Sequence, residues 1–444
     1  MSAPAAFGWG AILRLGLVQT ALGAVVVLMT STLNRVMVVE LALPAAVPGA
    51  LVALHYAVQV LRPRWGYGSD VGGRRTPWIV GGMALLALGG VGAALGTALV
   101  ATHPVPGFAL AILAFLCVGI GVGAAGTSLL VLLSTGVAPR RRGAAATIVW
   151  IMMIAGFAVT APLAGHWLDP FSGARLVAVS GGVSLIAFGL AFAAIRGVEP
   201  PRVVAAGPDA PRRPFGRVLA EVWAEPAARR FTVFVFLAML AYSAQELILE
   251  PFAGLVFAMT PGATTKLAGL QNGGVLAGMV LVALVTQAAR GSRLGSLRAW
   301  TVAGCAGSAA ALAGIAACGL GGSGMPLRAC IAALGLFNGI FAVSAIGSMM
   351  ALAGTGGAPD GESRHGTRMG VWGAAQGVAF GLGGFLGAAS VDLARLALGA
   401  VVPAYVTVFL AEAVLFLLAA GLALRIGTPE RGEPLGRLSM RPAL

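Results

Sequence analysis

The sequence predicts an all-α polytopic membrane protein, with twelve transmembrane helices arranged as two six-helix halves. Three observations carry that prediction. Of the 444 residues, 58% are hydrophobic and only 10% charged, with a mean hydropathy of +0.93. Soluble domains carry about a quarter charged residues, so a soluble reading is excluded. Apolar runs of roughly twenty residues, the length that crosses a bilayer, recur at 14–39, 45–62, 77–100, 107–134, 143–168, 174–196, 231–258, 265–289, 298–320, 326–354, 367–391 and 401–425. One long connection, Gly197 to Arg230, is rich in Pro and Arg, lacks an apolar period and divides those runs six and six. The expected units are an N-terminal half over 1–197, a linker over 198–230, a C-terminal half over 231–425 and a basic tail over 426–444.

Charge sets the expected orientation. The formal net charge is +14, almost all from arginine, since Lys266 is the only lysine. In a soluble chain this would point to nucleic acid; here the arginines cluster in alternate loops, and no nucleic-acid role is expected. Arg62, Arg64, Arg74, Arg75, Arg140, Arg141, Arg142 and the linker arginines fall on one side, against Arg175, Lys266, Arg328 and Arg395 on the other. Both termini are therefore expected in the cytoplasm. Arg14 interrupts the first apolar run and no cleavable leader pattern is visible. The four cysteines all fall within apolar runs without metal-ligand spacing and read as small core residues.

The seventh run holds Y-S-A-Q-E-L-I-L-E-P-F-A-G, Tyr242 to Gly254. Glu246 and Glu250 are one helical turn apart, with Gln245 on the flank. Carboxylates facing hydrocarbon are costly, so both are expected to point into the bundle. Pro251 cannot donate to the carbonyl of Leu247 and should bend the helix there. A weak repeat places L-N-R-V-M-V-V-E-L, from Leu33, in the first span as A-Q-E-L-I-L-E-P-F lies in the seventh, pairing Arg35 with Glu246. Arg35 and Glu40 are thus the expected counterparts of the span-seven acids, either as a working site or as a structural lock between the halves. Asn34, Gln59, Gln271, Asn272, Asn338 and Gln376 either extend this lining or serve as ordinary interhelical partners.

Between the second and third runs, G-Y-G-S-D-V-G-G-R-R-T-P carries Gly66, Asp70, Gly73, Arg74 and Arg75. This matches the G-x-x-x-D-x-x-G-R-[RK] signature of the major facilitator superfamily, and the resemblance implies that fold. Val71 stands where the family is often basic, and the corresponding loop of the second half, from Arg290, has no acid. The segments Leu33–Leu41, Arg64–Gly82, Gln245–Gly254 and Thr264–Leu270 together resemble the bacteriochlorophyll delivery family, the PucC- and LhaA-type light-harvesting assembly proteins. That resemblance implies assembly of light-harvesting complexes, with bacteriochlorophyll or a late precursor as bound cargo. Light-harvesting polypeptides or pigment-biosynthesis enzymes would be the partners.

Histidine is scarce, with four in the chain. His55 lies mid-run in A-L-H-Y-A-V-Q with Gln59 one turn on; it is either an axial ligand to a chlorin magnesium or a hydrogen-bonded core residue. His166 fits a capping role, and His103 and His365 fall in loops. No nucleotide-binding loop, nucleophile motif or metal cluster is visible, so the chain is not expected to be an enzyme. The competing expectation is a proton-coupled transporter of a small solute, with Glu246 or Glu250 carrying the proton.

Overall fold

The computed structural model describes residues 7–58, 74–138, 141–199, 224, 226–288, 296–322, 326–354 and 365–425. The first half runs α1 (Trp9–Val27), α2 (Ala46–Ala57), α3 (Thr76–Val100), α4 (Pro104–Gly136), α5 (Arg142–Leu168) and α6 (Gly173–Ile195). The second runs α7 (Pro226–Ala244), α8 (Leu249–Phe257), α9 (Pro261–Ala288), α10 (Leu297–Gly321), α11 (Leu327–Gly354), α12 (His365–Leu398) and α13 (Val401–Arg425). Eleven helical segments among the described residues are long and apolar enough to cross a membrane, and α2 is a shorter apolar helix. Alternation puts the start of α1, the end of α6, the start of α7 and the end of α13 at one face, here the terminal face; the α1–α2 and α8–α9 turns lie at the opposite face.

Helix ends run past the apolar runs because amphipathic turns continue beyond the hydrocarbon. The first span begins at Trp9 rather than 14, and α7 begins at Pro226 rather than 231. Arg14 is consequently inside α1, where its guanidinium donates to the carbonyl oxygens of Ala194 (2.9 Å) and Arg196. These carbonyls lie at the C-terminal end of α6 and have no helical donor of their own, which suits a cation.

Each half has its own apolar core, and the two exchange a few residues: Leu247 packs into the first core, Val38, Ala45 and Ile154 into the second, and Ala268 joins Val27, Leu28, Ala161 and Ala164 in a small third cluster. Lipid offers no hydrophobic drive between helices, so close backbone approach supplies the cohesion. Where α3 crosses α4, a Cβ on Gly82 would come within 2.6 Å of Ala125 N, and one on Gly121 within 2.6 Å of Leu86 N. Only glycine fits there.

The first and seventh spans are irregular at matching places. Beyond α1 the helix widens into π turns over Leu28–Leu33 and Val36–Glu40. Between α7 and α8 it tightens into a 3₁₀ turn, Gln245–Leu247. Both spans end in a left-handed alanine, Ala42 and Ala258, each with φ 51°. The following amide reaches back six residues in both, Leu43 N to Met37 O (3.0 Å) and Met259 N to Ala253 O (3.4 Å). This registers the internal repeat. Arg35 is seven residues before Ala42 and Pro251 seven before Ala258, so Arg35 is level with Pro251, and the expected pairing with Glu246 is displaced by more than a turn. The π turns put extra residues into each turn of one span and the 3₁₀ turn takes residues out of a turn of the other, which spacing alone does not reveal.

Candidate functional site

The first and seventh spans meet at the centre of the interface between halves, and Pro251 explains how. A proline here cannot donate to the carbonyl four residues back, which leaves Leu247 O without its helical partner. Asn34 Nδ2 supplies the missing donor from the other half, at 2.6 Å. The break also separates the two acids expected to share a face. Glu250 is buried; the Ser31 and Thr264 hydroxyls face its carboxylate and Arg35 is within electrostatic reach. Oε2 and Ser31 Oγ nevertheless close no aligned hydrogen bond among the described residues. Glu246 is half-buried and lies beside Tyr242 instead.

Arg35 is 2% exposed, held in from the wall by the π turns on either side of it. Such turns recur at functional positions because they re-aim a side chain. Its Nη1 pairs with Glu40, on its own helix, whose side chain is 34% exposed. Its Nη2 donates to Met259 O of the other half at 2.6 Å. The guanidinium lies flat against Gly254, where a Cβ would be 3.1 Å from Nη2 and 3.2 Å from Nε. Thr32 and Thr265 add a buried hydroxyl pair across the seam at 3.0 Å. Gln245 is 1% exposed with neither amide atom hydrogen-bonded among the described residues. This central cluster is largely buried where the two halves meet.

Toward the terminal face the seam carries a second, half-exposed cluster. Tyr56 of α2 stacks on Phe380 of α12 across the halves, ring centroids 5.7 Å apart. Tyr242 meets the same ring edge-on at 5.8 Å, with Glu246 next to it. His55 is buried behind, 4.5 Å from the Tyr56 ring, its backbone against Gly119 of α4. A Cβ added to Gly273, lower on α9, would meet nothing within 4 Å. Flat aromatic faces beside a carboxylate can take a planar amphiphile.

The remaining predicted residues go elsewhere. Asn272 spends its amide on Ala268 O of its own helix (2.9 Å), and Gln271 is half-buried where α9 crosses α11, its carbonyl oxygen against Gly335. Neither hydrogen-bonds to the central cluster among the described residues: Gln271 lies against α11 through its backbone, while Asn272, one turn beyond Ala268 and two beyond Thr265, is on the face of α9 turned to the first half. Asn338 accepts from Ser308 inside the second half at 2.8 Å, and Gln376 is beside the Met239 sulfur. Gln59, Gly66, Asp70 and Gly73 lie outside the described residues. Arg74 is exposed and Arg75 buried at the start of α3, whose terminus is capped by Glu199. Glu199 accepts from Arg75 N (2.7 Å), Thr76 N (2.8 Å) and Thr76 Oγ1 (2.7 Å). Partial burial raises its pKa, but these hydrogen bonds and the Arg75 charge outweigh burial and hold it below the ordinary 4.5.

Sequence reasoning missed Tyr56, Tyr242, Phe380 and Glu199, and also Glu412, the one acid of α13, 2% exposed with neither oxygen hydrogen-bonded among the described residues. The available signal was scarcity: the chain has only four tyrosines, two of them in this cluster.

A family model described as PUCC protein matches residues 32–430. The chain is 54% identical over 416 residues to the "Bacteriochlorophyll synthase 44.5 kDa chain" of Rhodobacter capsulatus, covering 94% of this chain and 95% of that one. It is 34% identical over 294 residues to "Protein PucC" of Cereibacter sphaeroides, covering 62% of each. Among solved structures it resembles a bacterial homologue of the human lysosomal transporter Spinster, in an inward-facing and unoccupied conformation. The TM-score is 0.63 at 15% identity, over 94% of this chain and 96% of that one. At that identity the likeness shows the fold, a major facilitator bundle of two six-helix halves.

Proposed function

This chain belongs to the PucC protein family, and we propose that it binds bacteriochlorophyll or a late precursor between its halves and hands it on without catalysis. The recipients would be light-harvesting polypeptides or pigment-biosynthesis enzymes, in a bacterial inner membrane with both termini cytoplasmic. The observation that carries the reading is the cluster of Tyr56, Phe380, Tyr242 and Glu246: three rings and one carboxylate, half-exposed where the seam opens. A chlorin is flat, apolar and edged with polar groups, and this is the part of the seam with matching chemistry. The buried cluster around Arg35 and Glu250 would act as the hinge lock above it. His55 is buried beside Tyr56, and an axial-ligand role would require its imidazole to become accessible to the pigment. The sequence relatives support the pigment assignment, one through its bacteriochlorophyll name and one as PucC.

The test is the absorption spectrum of protein purified in mild detergent from its native host. A chlorin band should co-purify and fall at least several-fold in Tyr56→Ala/Phe380→Ala, with the folded yield retained. Protein without pigment, together with normal pigment–protein complexes in a deletion strain, would refute the proposal.

One observation favours a second reading, proton-coupled transport: Glu250 is buried at the seam with Oε2 unbonded among the described residues. Proton-driven solute flux into liposomes that disappears in Glu246→Gln or Glu250→Gln would support it over pigment hand-over.

A further inference from the structure

Two aspartates outside every cluster above tie the halves together at the opposite face. Asp392, near the end of α12 in the second half, accepts from Ala45 N (3.0 Å) and Ala46 N (2.7 Å) at the start of α2 in the first. Asp169, just past α5 in the first half, accepts from Gly262 N (3.2 Å) and from Thr260 Oγ1 (3.1 Å) at the start of α9 in the second. Each carboxylate therefore covers the N-terminus of a helix in the other half, where backbone donors are free and the helix dipole is positive. The arrangement is a repeat. Both receiving helices follow the left-handed alanine turns, Ala42 and Ala258, and both aspartates close the span that packs beside them.

Local sequence explains why help comes from outside. The α2 start reads A-L-P-A-A-V-P, with no side chain able to cap it, and Ala45 makes no side-chain bond. The α9 start has Thr260, which accepts from Ala263 N (3.2 Å) and passes its own proton toward Asp169. Gly262 is required for the approach: a Cβ there would collide with the Asp169 carboxylate.

From this face to the centre the halves are joined by a run of hydrogen bonds: the two aspartate caps, then Arg35–Met259, Asn34–Leu247 and Thr32–Thr265. Farther down, the seam loosens to the half-exposed rings and open space beside Gly273. We infer that Asp169 and Asp392 are twin latches that seal the opposite face, so that the interior is reached from the terminal face until both release. The inference concerns motion and is independent of the cargo.

Electron–electron distance measurements on spin-labelled full-length protein, with the native cysteines replaced, test it. One label pair, at Ala101 and Leu398, spans the opposite face; another, at Ala138 and Ser296, spans the terminal face. Without further substitution the opposite-face pair should give a narrow, short distribution. In Asp169→Ala/Asp392→Ala a longer population should appear there, while the terminal-face pair shortens. Each single variant should give a smaller share of the long population, and these stand in if the double variant does not fold. Asp→Asn, which keeps one acceptor oxygen, should fall between. An unchanged opposite-face distribution in the variants overturns the inference, as does lengthening at both faces together, which is loosening rather than release.

Discussion

The bond between Asn34 and the carbonyl freed by Pro251 makes a quantitative prediction. In Asn34→Ala, Leu247 O loses its 2.6 Å donor at a buried position, and Pro251 prevents the helix from supplying another. Interhelical hydrogen bonds in membranes average only ~0.6 kcal/mol, reaching ~1.7, whereas orphaning a buried carbonyl costs about 1–3 kcal/mol. The second term governs here, and a destabilisation of about 1–3 kcal/mol is expected. Pro251→Ala restores an amide at position 251, able to donate to Leu247 O along the helix. In that background Asn34→Ala should cost far less, giving a coupling of roughly 1–2 kcal/mol. The assay is reversible unfolding in mixed micelles of the parent, both single variants and the double variant. Equal cost of Asn34→Ala in both backgrounds would refute the argument that the proline created the vacancy that Asn34 fills.

Two further predictions use groups with different exposure. Glu40→Gln removes the counter-charge of buried Arg35 and should destabilise by about 1–3 kcal/mol, softened because Glu40 is partly solvated. Glu250→Gln should then cost roughly 1 kcal/mol more on top of Glu40→Gln than alone, since Glu250 has become the remaining acid near Arg35, and the same micelle unfolding cycle measures it. For Glu199 the folded pKa is depressed, so its contribution is fully present above the ordinary 4.5 and is lost as pH falls through the folded value. Unfolding followed from neutral pH to below 4 should show an acid-dependent loss that is reduced in Glu199→Gln, whose amide oxygen is an uncharged acceptor at every pH.

The architecture was legible because its signals are local and repeated. Span length needs only apolar runs, and the bend near Pro251 needs only the missing amide. The residues at fault were those whose neighbours come from the other half. Arg35 was matched with Glu246 by residue spacing, but π turns put more residues into each turn of one span and a 3₁₀ turn puts fewer into a turn of the other. Glu246 and Glu250 were expected on one face for the same reason, an uninterrupted helix that the structure breaks between them. Gln271 looks like a lining residue in a list of polar positions, yet its backbone packs against α11 in its own half, whereas Asn272 faces the first half but bonds back to Ala268. Tyr56 and Phe380 are unremarkable singly and acquire meaning when α2 lies against α12.

How easily the halves separate depends on where charge is compensated. A buried ion pair broken across a moving interface would leave both charges unpaired and cost about 3–5 kcal/mol. Arg35 pairs with Glu40 on its own span and would carry that counter-charge along, so separation takes away only its interaction with Glu250 of the other half. Separation at the centre breaks only Asn34–Leu247, Thr32–Thr265 and Arg35–Met259. Each of the two freed carbonyls costs about 1–3 kcal/mol if it stays dry and the hydroxyl pair about 0.6 kcal/mol, so a second conformation at about 0.1–10% of the population requires water to reach the opened seam. The Asp169 and Asp392 caps lie nearer the opposite face, where water can replace a lost backbone donor. The one fixed charge in the middle of the seam is thus held so that motion does not strand it.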